Sequence, residues 1–185
     1  MCGGETIKIN KKASVVIAAV AFLLIVGVVV FLIPGGTEGE YRHFVSTEHG
    51  FSVSYPREWT QSTASGAALY CNAPDQNASF NVQIPASAGG LTLEQLASMS
   101  KSMIENMFPG TSFAGEKDIL VNGMEGHEWT IIWENFAGTG QRATVRQDFF
   151  IRNDKVYTVT FMARSECYDA YAGTFDAILN SFTVP

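Results

Sequence analysis

Ala13 to Ile33, ASVVIAAVAFLLIVGVVVFLI, runs for 21 residues without a charge. At about 1.5 Å per residue a helix of that length reaches roughly 31 Å, close to the thickness of a bilayer's hydrocarbon core. The run is longer than the roughly 7 to 15 residues of a cleavable signal core, and Pro34-Gly35-Gly36 is not a small-residue cleavage site. A lipoprotein signal would place its cysteine just after the apolar stretch, whereas Cys2 precedes it. The sequence therefore predicts a retained single-pass transmembrane helix over residues 13–33. Lys8, Lys11 and Lys12 stand before it, and Arg42 is the only basic residue soon after it. The positive-inside bias then makes residues 1–12 a short cytoplasmic head and puts everything after the helix on the outer face of the cell membrane.

Residues 34–41, opening PGGTEGE, carry glycine and acid without an apolar pattern and read as a flexible linker. The remainder, 42–185, is the right size for one domain with one core. From Pro34 onward 9 Lys and Arg face 17 Asp and Glu, a net charge of −8. That balance repels phosphate backbones and excludes nucleic acid as a partner.

Within the domain, short alternating runs at Phe51–Tyr55, Ala67–Asn72 and Ser79–Ile84 predict half-buried antiparallel strands. Thr92-Leu93-Glu94-Gln95 is a capping box that starts a helix, and Phe108-Pro109-Gly110 ends it. Its apolar stripe takes in Leu93, Leu96, Ala97, Met103, Ile104, Met107 and Phe108. Four longer strands follow, about Phe113–Leu120, Met124–Glu134, Arg142–Arg152 and Lys155–Ala163. Val121-Asn122-Gly123 and Asn153-Asp154 supply the turns of a meander. A last amphipathic helix covers about Glu166–Ser181. The fold class is α+β, an antiparallel sheet flanked by helices.

GFSVSYPREW, the LTLEQLASM helix, VNGMEGHEWTI, QDFFIRNDKVYTVTF and the closing FDAILNSFTV together resemble the PsbP-like family. The resemblance runs from about Arg42 to Pro185. It implies an α/β/α sandwich, shared with the Ran GTPase release factor. The family's photosystem II member is an extrinsic accessory subunit, so the resemblance also implies a protein partner. The photosystem contacts do not transfer, because the matching residues are architectural and a membrane anchor replaces that protein's N-terminal region. In YPREW, Pro56 is expected to break the strand, Trp59 to fold into the core, and Arg57 and Glu58 to face water.

Chemistry-bearing residues are few. Cys71 and Cys167 would both face an oxidising exterior, making them a candidate disulfide or two buried thiols. Asn77-Ala78-Ser79 is a candidate glycosylation sequon at Asn77. Met99, Met103 and Met107 have the spacing of a Cu(I) thioether set, but Met103 and Met107 fall in the apolar stripe and read as core filler, with Met99 at its edge. His127, Trp129, Ile131 and Trp133 share one strand face; Glu128, Thr130 and Glu134 share the other. A loop over 135–141 would set Glu128 opposite Asp148 and Thr130 opposite Arg146. Facing carboxylates suggest acid/base work or a metal, whereas a solvated face offset by Arg146 and Arg142 is the plainer reading. His127 reads as a packed or turn histidine. No G-x-S-x-G occurs, and Gly138-Thr139-Gly140 lacks the context of a dinucleotide loop.

The sequence thus assigns no catalytic, cofactor-binding or metal-binding residue and no cofactor. It predicts a membrane-anchored, non-catalytic binding or assembly module with a protein partner. The alternatives are a surface hydrolase or metal-dependent enzyme using Glu128, Asp148 and His127, or a carrier with a small-ligand pocket between helix and sheet.

Overall fold

The computed structural model describes residues 40–85 and 87–185. Among these residues nine strands and two α-helices follow in order, besides two single-turn 3-10 helices: β1 (Tyr41–Ser46), β2 (Phe51–Pro56), β3 (Thr60–Ser62), β4 (Leu69–Asn72), β5 (Ala78–Gln83), α1 (Leu93–Met107), β6 (Thr111–Val121), β7 (Met124–Trp133), β8 (Ala143–Arg152), β9 (Lys155–Arg164) and α2 (Tyr168–Ser181). The head, the transmembrane helix and almost all of the linker anticipated from the sequence lie outside the described residues. Among the described residues no helix is long and apolar enough to cross a membrane.

β3 to β9 form one antiparallel sheet in the order β3-β4-β5-β9-β8-β7-β6, and β1 pairs with β2 in a separate hairpin. β6, β7, β8 and β9 are the expected meander. Its turns work because Asn122, Gly123, Asn153 and Asp154 all take positive φ, which Asn, Asp and Gly tolerate best. Asn122 also reaches out of its turn, donating through Nδ2 to the carbonyls of Asn180 (2.9 Å) and Phe182 (2.8 Å) at the end of α2. Carbonyls left over at a helix C-terminus are thereby satisfied from the sheet.

Period-two alternation gives the sheet two different faces. One carries Phe80, Val82, Val159, Phe161 and Phe150, covered by α2 through Phe175, Ile178 and Leu179 and by the hairpin through Phe51, Val53 and Tyr55. Trp59 lies at the centre of this layer, its ring 5.9 Å from Phe80, 6.0 Å from Tyr171 and 6.4 Å from Phe175, as the strand-end reading requires. The opposite face carries Trp129, Ile131, Trp133, Val145 and Phe149 beneath α1. The capping box of α1 is complete, with Gln95 N–H donating to Thr92 Oγ1 and Thr92 N–H to Gln95 Oε1.

β2 ends at Pro56, as expected, with Pro56 itself the last paired residue, opposite Tyr41, and buried. Several other expectations need correcting. Arg57 is half-buried rather than facing water, and its N–H donates to the Glu40 carbonyl at 3.0 Å. Met107 is 50% exposed and Met103 only half-buried, because the α1 face turned to the sheet is Leu96, Ala97, Ser100 and Ile104. β1 and β3 were not anticipated. Cys71 and Cys167 are free thiols: Cys71 fills the α2-side core, where burial pushes its thiol up to about 12, and Cys167 is half-buried just before α2.

Candidate functional site

The loop between β7 and β8 fixes the register that matters most: Glu128 lies opposite Asp148 and Thr130 opposite Arg146. Glu128, Asp148 and Arg146 all point to the α2 side of the sheet. Arg146 sits between the acids, with Nη2 2.8 Å from Glu128 Oε2 and Nε 3.2 Å and 3.3 Å from the two oxygens of Asp148. Its Nη1 donates to Asp176 Oδ1 of α2 at 2.6 Å, and its guanidinium carbon is 5.8 Å from the centre of the Phe161 ring. Lys117 of β6 reaches Glu128 Oε1 at 3.1 Å from the solvent side.

The arrangement is a closed ion cluster. Asp148 is fully buried, and the side chains of Glu128 and Arg146 are 9% and 12% exposed. Burial raises the Asp148 carboxyl from its ordinary 3.8 to about 8; Arg146 opposes the shift and the facing Glu128 reinforces it. Tyr168, at the start of α2, is pushed up to about 12 chiefly by burial and stays a neutral phenol.

His127 does not join this cluster. It follows the alternation to the α1 side, where its ring lies 6.0 Å edge-on to Trp129. One ring nitrogen is 2.9 Å from Asp118 Oδ1 and the other 3.0 Å from Glu116 Oε1, both on β6. Lys101 of α1 donates to Glu116 Oε2 at 2.7 Å, and this bond, with that of His127, holds the Glu116 carboxyl below its usual value. The trio Glu128, Asp148 and His127 therefore does not converge, since the sheet stands between the histidine and the two acids. Among the described residues no group of three or more His, Cys, Asp or Glu side chains could hold a metal ion. Asp176 belongs to the cluster, yet nothing local in the sequence signals it; only the docking of α2 brings it to Arg146.

The candidate modification site at Asn77 lies in the β4–β5 turn. The Asn77 side chain donates to Asp75 Oδ2 at 2.8 Å and its backbone N–H to Asp75 Oδ1 at 3.0 Å, while Ser79 of the sequon is buried in β5. Of the two helix–sheet interfaces where a small-ligand pocket could lie, the one beneath α2 is filled by Trp59, Phe161, Phe175 and Phe182. Open space of about 200 Å³ occurs instead beyond the edge of α1, over the ends of β4, β5, β8 and β9.

Among curated proteins none matches the sequence. Similar solved structures include cyanobacterial PsbP (CyanoP) from Synechocystis sp. PCC 6803, with a TM-score of 0.64 at 12% identity over 84% of this chain and 98% of that one. LpqN of Mycobacterium tuberculosis, involved in cell envelope biogenesis, gives 0.57 at 12% identity over 80% and 93%. The Ran-binding protein Mog1p of Saccharomyces cerevisiae gives 0.55 at 8% identity over 78% and 95%. These likenesses establish the α/β/α sandwich. The PsbP-like protein family profile matches residues 37–184, and the chain therefore belongs to that family.

Proposed function

We propose that the protein is a membrane-tethered PsbP-like module that works by binding a protein partner at the outer face of the membrane, without catalysis of its own. The observation that carries this reading is the self-sufficiency of the Glu128–Arg146–Asp148 cluster. Arg146 occupies both acids and ties them to α2, while the nearest histidine lies on the other side of the sheet. A general acid or base needs an approach for its substrate, and Asp148 has none.

The tether rests on the uncharged run 13–33 and the lysines before it. The partner reading is supported by the fold shared with Mog1p, a Ran-binding protein. The test is crosslinking in native membranes with mass spectrometry, beside a hydrolase screen of the same protein. A reproducible protein partner with an empty screen supports the module. Turnover that disappears in Glu128→Gln or Asp148→Asn overturns it in favour of an enzyme.

A further inference from the structure

The face of the sheet beneath α1 changes character along its width. Strand register sets residues in rows across it, and one row reads Trp129, Gln147, Thr160, Asn81, Tyr70 from β7 to β4. The next reads Ile131, Val145, Met162, Ser79, Asn72. Both begin apolar under α1 and end polar over β5 and β4, outside the reach of α1, which packs on β6, β7 and β8.

This face also holds unpaired polar atoms. Among the described residues Trp129 Nε1, Gln147 Oε1, Asn81 Oδ1 and Thr158 Oγ1 have no hydrogen-bond partner, nor does Ser100 Oγ on the buried face of α1. Trp129, Gln147 and Thr158 are at most 2% exposed. Each such atom costs about 1 to 3 kcal/mol unless something else satisfies it. Beside these residues, at the far ends of β4, β5, β8 and β9, a groove of about 200 Å³ opens on the same side of the sheet; its lining is a separate set of side chains. Tyr70, Asn72 and Ser79 supply polar groups to its lining, Phe136 and Met162 apolar ones, and Arg142 and Arg164 positive charge. No Asp or Glu lines it, although across residues 42–185, 9 Lys and Arg face 15 Asp and Glu, a net charge of −6. Both arginines have acidic neighbours outside the lining, Glu134 at 3.2 Å and Glu166 at 3.9 Å, in exposed and therefore weak pairs.

We propose that this groove binds a small carboxylate that also carries an amide or hydroxyl group and an apolar body. The carboxylate meets Arg142 and Arg164, the polar group meets Asn72 and Ser79, and the body lies against Phe136 and Met162. This is separate from the protein-partner reading, and either can fail without the other.

Saturation-transfer NMR on the full chain in lipid nanodiscs tests it, with N-acetylphenylalanine as probe and N-acetylphenylalanine amide as its uncharged counterpart. The acid is expected to receive saturation and to bind roughly tenfold more tightly than the amide, the effect of one charge-assisted contact. The exposed double substitution Arg142→Gln and Arg164→Gln should remove that preference, and Ser79→Ala should weaken acid and amide alike. Equal binding of acid and amide, unchanged binding to the double variant, or no transfer to either probe overturns the proposal. In the last case water alone fills the face.

Discussion

At the scale of single residues, two positions carry more than their size suggests. A Cβ at Gly126 would lie 2.5 Å from Phe150 Cε1 and 2.8 Å from the Phe149 carbonyl oxygen. Gly126→Ala should therefore lower stability by about 1 to 3 kcal/mol in urea unfolding. Shrinking the ring with Phe150→Leu should not restore it, since the backbone contact remains. Asp148 is the other position. Its folded carboxyl holds a proton up to about 8, whereas in the unfolded chain it ionises near its ordinary 3.8. The native state therefore binds more protons across that interval, and the Asp148 contribution is full below it and lost as pH rises to about 8. The melting temperature of the native protein should fall between pH 4 and 8 relative to Asp148→Asn, and parallel profiles would refute the assignment. Removing the cation is harsher. Arg146→Leu leaves the Glu128 carboxylate with Lys117 alone and unties Asp148 from α2, and should cost on the order of 2 to 3 kcal/mol, measured in the same unfolding experiment.

At the scale of elements, the capping box makes a clean test: Thr92→Ala should cost about 1 kcal/mol and fray the first turn of α1, read as faster amide exchange at Gln95 and Leu96. The same element shows where sequence reading works. A cap is local chemistry, and so are the Asn122-Gly123 and Asn153-Asp154 turns; with the long alternations they make β6 to β9 legible to within about two residues. The Glu128–Asp148 pairing followed from loop length for the same reason. β1 was hidden because its residues alternate only between half-buried and exposed, and β3 because it has three residues. Met107 was misplaced because a wide apolar stripe does not reveal which part of it meets the sheet; the structure favours a line through Ser100. Asp176 and the groove over β4, β5, β8 and β9 depend on contacts between distant segments, which periodicity does not encode.

At the scale of the whole molecule, the proposed topology makes a direct prediction. Protease added to intact cells should cut after about Gly36 and release a fragment containing the sheet, whereas a protected domain would reverse the orientation. The architecture also determines how such a tethered object bears load. The chain enters through β1, whose ladder is with β2 alone, and β2 bonds to the C-terminal segment through Ser52 and Thr183 at 2.9 Å in both directions. Tension applied at Tyr41 therefore reaches a short hairpin before it reaches the seven-stranded sheet. Under the proposed tether the hairpin would act as a mechanical fuse, with the β1–β2 ladder loaded before the meander, the Arg146 ion cluster and the groove.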